Sequence, residues 1–204
     1  MSQITTGLRA VLSSPKVYDF LQDFMGAHSA RRRLVHEHVR PFSGCRILDI
    51  GCGTARILDY LTDVEYHGFD LSQQYIDDAS RRYRTRGYFS CALVEQSVID
   101  HLDPFDIVIA TGVLHHLDAD QAVGLIGLAH SALRKGGRLV TIDPCYAGDQ
   151  NAISRFLVSR DRGQNVRCAE QYHDLAGTVF SQVKGEVRHR VWIPYTHWIM
   201  ECQK

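Results

Sequence analysis

The chain has 204 residues, 45% of them hydrophobic and 23% charged, with 23 basic residues balancing 23 acidic ones. A globule of this size buries about 70% of the surface its unfolded chain exposes, so one domain can hold together without disulfides or metal. Zero net charge counts against a protein-wide basic surface for nucleic acid, and leaves room only for a local patch.

Ser14-Pro15 is a good helix start, and Val17, Phe20, Leu21, Phe24 and Met25 follow at helical spacing. A second helix is expected from about Ser29 to Val39, ended by Pro41. The chain then alternates between two periods. Cys45–Ile50 reads as a buried strand, Thr54–Leu61 as a helix, and Glu65–Phe69 as a second strand. Ser72 is placed to cap a helix whose inner face is Tyr75, Ile76, Ala79 and Tyr83. Tyr88–Val94 is expected as a third strand and Phe105–Ala110 as a fourth, continuous and buried on both faces. Asp118 and Gln121 form a capping-box pattern that opens a helix to about Leu133, ended by Gly136-Gly137, and Arg138–Ile142 is the fifth strand. Strands separated by helices of this length imply βαβ units and a mainly parallel sheet.

After Pro144 the pattern changes. Asp149–Ser159 and Ala169–Thr178 read as helices. Val183–Val191 and Thr196–Cys202 lie too close together for a crossover helix, so they must pair antiparallel.

Chemistry concentrates in Ile47-Leu48-Asp49-Ile50-Gly51-Cys52-Gly53-Thr54, where a buried strand runs through two glycines into a helix. The glycines let the backbone turn sharply and approach a ligand. Asp70 ends the second strand, where an acid can accept both hydroxyls of a ribose. Loop and acid together specify an adenosine-like ligand. A nicotinamide site prefers Gly-x-Gly-x-x-Gly, but the third position here is Arg56. The carboxylate of Asp49, just before the glycines, suits a cationic partner better than a pyrophosphate.

Leu48–Thr54 resembles the first signature motif of class I S-adenosylmethionine-dependent methyltransferases. Gly68–Ser72 resembles that family's ribose-binding motif, Phe105–Leu117 its fourth-strand motif, and Leu133–Leu139 its entry to the fifth strand. The resemblance covers about residues 34–146 and more weakly the C-terminal hairpin. It implies a Rossmann-like, doubly wound α/β fold of seven strands in the order 3-2-1-4-5-7-6. It implies S-adenosyl-L-methionine as cofactor and S-adenosyl-L-homocysteine as product. It places Gly51, Cys52 and Gly53 along the cofactor, Asp49 near its amino group, Asp70 on the ribose and Leu71 beside the adenine. Ala110 and Thr111 would lie near the methionine end. Two positions depart from the pattern. Leu93 stands where many relatives carry an acid for the adenine, so that Glu95, Gln96 or the backbone of Leu93 and Val94 would replace it, and Ala55 stands for a third glycine.

Methyl transfer needs alignment, and an oxygen nucleophile also needs a base. His115, His116 and Asp143 are the catalytic candidates, with Tyr146 nearby, since they follow the fourth and fifth strands. His115 and His116 could instead simply cap the turn, and Asp143 could do the same before Pro144. Tyr18 could close over the cofactor or belong to the core. Arg31, Arg32 and Arg33, and Arg81, Arg82, Arg84 and Arg86, could touch phosphates, but read first as solvated helix faces. Arg160, Arg162 and Arg167 could grip an anionic acceptor or belong to an ordinary loop. His173, His197 and Trp198 do not make a metal site.

The expectation is therefore a single domain over residues 1–204, with a helical cap at 1–40 and an inserted cap segment at 144–167. It would transfer methyl groups without metal to a small-molecule or carbohydrate-like acceptor, oxygen first. A non-catalytic S-adenosylmethionine-binding subunit or sensor and an NAD-dependent oxidoreductase are the alternatives. The longest charge-free stretches, Gln121–Leu133 and Ile107–Leu117, are too short to span a bilayer, and Met1–Leu12 lacks a signal-peptide pattern. Six scattered cysteines without a CxxC pair fit reduced thiols, hence a cytoplasmic protein without a membrane partner.

Overall fold

The computed structural model describes residues 27–190 and 194–204. The expected first helix from Ser14 to Met25, Tyr18 and the tip of the C-terminal hairpin lie outside the described residues. The elements are α1 (Ala27–Leu34), β1 (Cys45–Ile50), β2 (Val64–Asp70), α2 (Gln73–Tyr83), β3 (Tyr88–Cys91), α3 (Gln96–Ile99), β4 (Phe105–Thr111) and α4 (Ala119–Ala132). They continue with β5 (Leu133–Tyr146), α5 (Ala152–Ser159), β6 (Arg167–Cys168), α6 (Ala169–Gly177), β7 (Gln182–Arg190) and β8 (Tyr195–Gln203).

One sheet runs in the order β3-β2-β1-β4-β5-β8-β7. β1 to β5 are parallel, and β8 pairs antiparallel with both β5 and β7. The period of two along each strand sorts the core into two layers. Leu48, Ile50, Val108 and Ala110 point to one face, with Ile126 of α4 and Tyr172 of α6 packed on it. Ile47, Ile107 and Ile109 point to the other, under Val35, Val39 and residues Ala79 and Tyr83 of α2. Helices on both faces explain why β1 and β4 are apolar at nearly every position. The strand order reverses between β1 and β4, and such a switch point opens a crevice at the C-terminal strand ends.

Local chemistry sets the helix starts. Ser72 accepts a hydrogen bond from Tyr75 N, and Asp118 with Gln121 forms a complete capping box. Several boundaries differ from expectation. The sheet has eight strands, not seven, because Arg167 and Cys168 pair beside Cys145 and Tyr146. Two residues carry no periodicity, so β6 is invisible in the sequence. β5 begins at Leu133, not Arg138, because the Gly136–Gly137 segment pairs with the C-terminus. Gly136 N donates to Lys204 O, and Lys204 N donates to Gly137 O. The segment after the glycine loop is only a 3-10 turn, Arg56–Tyr60. The helix after Ala27 ends as a π-helical turn, Val35–Val39, closed by left-handed Arg40 before Pro41 is reached. β3 stops at Cys91. Among the described residues no helix is long and apolar enough to cross a membrane.

Gly185 in β7 has no space for a side chain, since a Cβ would lie 2.2 Å from the buried Trp198 ring. Gly127 in α4 faces open space instead. Gly185→Ala should destabilise by about 1–3 kcal/mol through overpacking. Gly127→Ala should stabilise by about 0.5–1 kcal/mol through helix propensity. Urea midpoints at unchanged slope measure both, and equal stability of Gly185→Ala and wild type would refute the Trp198 packing.

Candidate active site

β1 delivers Asp49 to its C-terminal end, and the next residues leave the sheet through Gly51 (φ 75°) and Gly53 (φ 55°). Both are left-handed conformations that glycine adopts without strain. At Gly51 a second constraint applies, because a Cβ would meet Val113 at 2.6 Å. Gly51 N and Cys52 N donate to Phe69 O at 2.8 and 3.0 Å, which folds the loop onto the end of β2. Around Gly53 no atom lies within 4 Å of an added Cβ, so its backbone faces open space. Ala55, the departure from the glycine pattern, also has positive φ, 53°. Its buried methyl packs in the layer with Ile47.

Asp70 ties this loop to the next helix. Its Oδ2 accepts from Gly53 N at 2.9 Å and its Oδ1 from Ser72 N at 2.8 Å. Each oxygen keeps a lone pair for a further donor. Asp49 is 3% exposed, and its Oδ2 accepts from Tyr66 OH at 2.6 Å. Its Oδ1 has no hydrogen-bond partner. Burial pushes the Asp49 carboxyl up to about 7, against the pull of the Tyr66 hydrogen bond and with help from the Asp70 charge. A buried acceptor without a partner, beside an open glycine backbone, fits a cationic, nucleoside-bearing group such as S-adenosylmethionine. Burial also pushes the Cys52 thiol far up, so it stays protonated.

Leu71 and Leu93 are each 53% exposed, after β2 and after β3. Two exposed leucines beside Asp70 offer apolar surface for a flat ring. Val94 is buried in the core, as is Ala110, whereas Thr111 at the tip of β4 is exposed.

The second half of the site follows β4. His115 is buried, and its Nδ1 lies 2.8 Å from Asp143 Oδ1 on β5. Its Nε2 lies 3.1 Å from Asp161 Oδ1. Carboxylates only accept, so both ring nitrogens donate and His115 is an imidazolium. Burial opposes that charge, but Asp143 and Asp161 outweigh it and raise His115 to about 9. Burial likewise pushes Asp161 up, and the His115 cation, Tyr195 OH and Gly163 N together hold it far below the usual carboxylate range. The Tyr195 hydroxyl donates to Asp161 Oδ2. His116 stacks on His115 with ring centroids 4.0 Å apart, and its Nδ1 is buried without a partner. Burial first, then the His115 charge, pull His116 down to about 4, so it is neutral at pH 7.

The inserted segment is clamped over this pair. Asn165 N donates to His115 O at 2.9 Å. Arg167 donates to Leu114 O at 3.0 Å and to Leu117 O at 2.8 Å, so this arginine holds backbone rather than facing an acceptor. Gly163 passes so close that a Cβ would sit 2.0 Å from His115 Cδ2. A cavity of about 430 Å³ is formed by this segment itself, lined by Tyr146, Val158, Arg160, Asp161, Gly163 and Gln164 among others. The sequence pattern did not single out Asp161 or Tyr195. Residues 115, 143, 161 and 195 come from four separate segments, and no local pattern links them.

A family model described as a methyltransferase domain matches residues 48–139. A ubiquinone biosynthesis O-methyltransferase from Maricaulis maris (strain MCS10) is 32% identical over 83 residues, which is 38% of this chain. The match spans a third of that relative's length. The 1,6-didemethyltoxoflavin-N1-methyltransferase of Burkholderia thailandensis, solved with S-adenosylhomocysteine, superposes with a TM-score of 0.62. It is 17% identical and covers 100% of this chain and 94% of its own. The S-adenosylmethionine-dependent methyltransferase SibL superposes with a TM-score of 0.67 at 14% identity, over 91% of this chain and 57% of its own. The methyltransferase-domain match thus covers the stretch that holds the glycine loop and its two acids, and the solved methyltransferases share the fold of the chain.

Proposed function

We propose that this chain transfers a methyl group from S-adenosyl-L-methionine to an oxygen of a small acceptor held at the inserted segment. The observation that carries this reading is the pairing of two unlike half-sites at adjacent strand ends. One is the acid-and-glycine cradle of β1 and β2. The other is the stacked histidine pair after β4, linked through Asp161 to the 430 Å³ cavity. S-adenosylmethionine, when bound, supplies a methyl group on a sulfonium that leaves as a neutral thioether.

The protein's share is binding, alignment and proton handling. Asp49 would take the amino group, Asp70 the ribose, and Leu71, Leu93 and the backbone at Val94 the adenine, with Gly51, Cys52, Gly53, Ala110 and Thr111 along the rest. His116, neutral at pH 7, would accept the acceptor's hydroxyl proton. His115, protonated between two carboxylates, has no lone pair to offer and serves as a positioning residue. Asp143 holds it. An oxygen acceptor is supported by this neutral imidazole and by the likeness to an O-methyltransferase. Arg160 and Gln164 at the cavity suit a polar or anionic acceptor, carbohydrate-like ones included. No step in this scheme calls for a metal.

Thermal shifts test the cofactor. S-adenosylhomocysteine at 100 times its Kd should stabilise the protein by about 2.7 kcal/mol, and NADH should not. Asp70→Ala should abolish most of that shift. Stabilisation by NADH alone would return the nicotinamide reading. Cofactor binding without turnover on any hydroxylated acceptor would favour a sensor.

Affinity should depend on pH through Asp49. The cofactor's ammonium needs the carboxylate, and the protein without cofactor keeps the carboxyl protonated below about 7. S-adenosylhomocysteine affinity should therefore be flat above pH 7 and weaken up to tenfold per unit below it, as calorimetry would show. Asp49→Asn should flatten the profile.

His116→Ala should lower kcat by about 100- to 10,000-fold with cofactor affinity retained. The wild-type rate should rise through about pH 4 as His116 loses its proton, then fall through about 9 as His115 does. The raised His115 value also stabilises the fold. That contribution is complete below the ordinary histidine value of about 6.5 and disappears as pH rises through about 9.

A further inference from the structure

On the opposite side of the sheet from the α4 layer, the turn Val35–Val39 packs against the hairpin of β7 and β8. In the β7–β8 register Glu186 lies opposite Ile199 and Lys184 opposite Glu201. The period of two therefore puts Glu186, Arg188 and Glu201 on one face. His38 reaches onto that face from the turn. Its side chain is nine-tenths buried.

The two nitrogens of His38 have different surroundings. Nδ1 lies 2.9 Å from Glu201 Oε1, and a carboxylate cannot donate, so the proton is on Nδ1. Glu201 is held in turn by Arg40. Nε2 makes no hydrogen bond, yet it is aimed at Glu186 Oε1, 3.5 Å away. A carboxylate oxygen of Glu37 completes the group, all three ligand atoms lying within 4.8 Å of one another.

A lone pair facing a carboxylate is repulsive unless a proton or a metal cation lies between them. Zinc sits about 2.0–2.1 Å from nitrogen and about 2.0–2.2 Å from oxygen, so tetrahedral ligands are about 3.4 Å apart. The observed 3.5 Å separation matches that edge. Glu201 stands where the outer carboxylate of a carboxylate–histidine–zinc arrangement stands, fixing the tautomer and ring orientation. Glu37 and Glu186 are about half exposed and can rotate inward. Arg188 now bridges these two carboxylates, 2.9 Å from Glu37 Oε2 and in contact with Glu186 Oε1. Its guanidinium supplies the positive charge that a metal would replace, and it lies on the edge strand, where it can swing into solvent.

The geometry points to a divalent transition-metal site, zinc-like in ligand set, formed by His38 Nε2, Glu37 and Glu186 and clamping the N-terminal helical segment to the edge hairpin. It lies apart from the proposed chemistry and takes no part in methyl transfer.

Zinc titration of the full chain by calorimetry tests this. One Zn²⁺ per chain should bind and raise Tm. His38→Gln and Glu186→Gln should each weaken it at least tenfold, and Glu201→Gln by about 10- to 100-fold. Arg188→Gln should tighten it by removing the competing cation, and this variant keeps every ligand in place should His38→Gln fail to fold. Cys91→Ser, which removes the exposed thiol, should leave binding unchanged. Zinc uptake that is absent, that His38→Gln retains in full, that Arg188→Gln weakens, or that Cys91→Ser abolishes would overturn the site.

Discussion

A protonated imidazole held between two carboxylates organises the chemical half of this molecule. His115 belongs to the turn after β4, Asp143 to β5 and Asp161 to the inserted segment, and Tyr195 of β8 closes the set. Burying charge is costly unless it is paired and hydrogen-bonded. Here every hydrogen-bonding position on the ring is used, and the backbone N–H of His115 adds a bond to Asp143 Oδ1 at 3.1 Å. Four segments far apart in sequence must therefore arrive together. This pairing, with the Asn165 and Arg167 hydrogen bonds, fixes the inserted segment beside the turn after β4, and the anchored Asp161 forms part of the cavity wall.

The two half-sites use burial in opposite ways. At Asp49 burial is only partly compensated, so the carboxyl is poised near neutrality and carries an acceptor without a donor. At His115 burial is overcompensated, and the charge is fixed across the physiological range. A poised group can respond to a ligand, whereas a fixed one can only hold a shape. Under the proposed function, that contrast suits the β1–β2 side to ligand recognition and His115 to architecture. The neighbouring His116, stacked on a permanent cation, is kept neutral.

Much of the proposed cofactor side was legible as a structural unit because its parts are local. Asp49, Gly51 and Gly53 lie within five residues, and Asp70 follows where a βα unit must end. Strand periodicity located β1, β2, β4 and the hairpin to within a residue or two. The histidine network was only half legible. His115, His116 and Asp143 stood out because they follow strands, but their unlike protonation depends on Asp161 and Tyr195, which arrive from the inserted segment and β8. Gly136-Gly137 misled the reading of the α4–β5 boundary, because glycine pairs at that position usually end helices. Here the C-terminal Lys204 recruits them into β5. Only tertiary contact carries that information. β6 escaped for the same reason, being two residues long.

Under the proposed reaction the charge balance of the buried cluster matters as much as its shape. Asp143, His115 and Asp161 sum to one negative charge, and Asp143 Oδ2 is left without a partner. A net negative site favours a sulfonium nearby and disfavours a free alkoxide. An acceptor hydroxyl would thus resist ionising before the methyl moves. Its proton has to leave as the carbon–oxygen bond forms, when positive charge develops on that oxygen. A weakly basic imidazole suits such timing. It does not need to deprotonate the ground state, only to accept a proton that has become acidic in the transition state. The basicity of His116 is depressed first by burial and then by the same cation that holds the inserted segment in place, so that proton transfer is tied to the structural pairing.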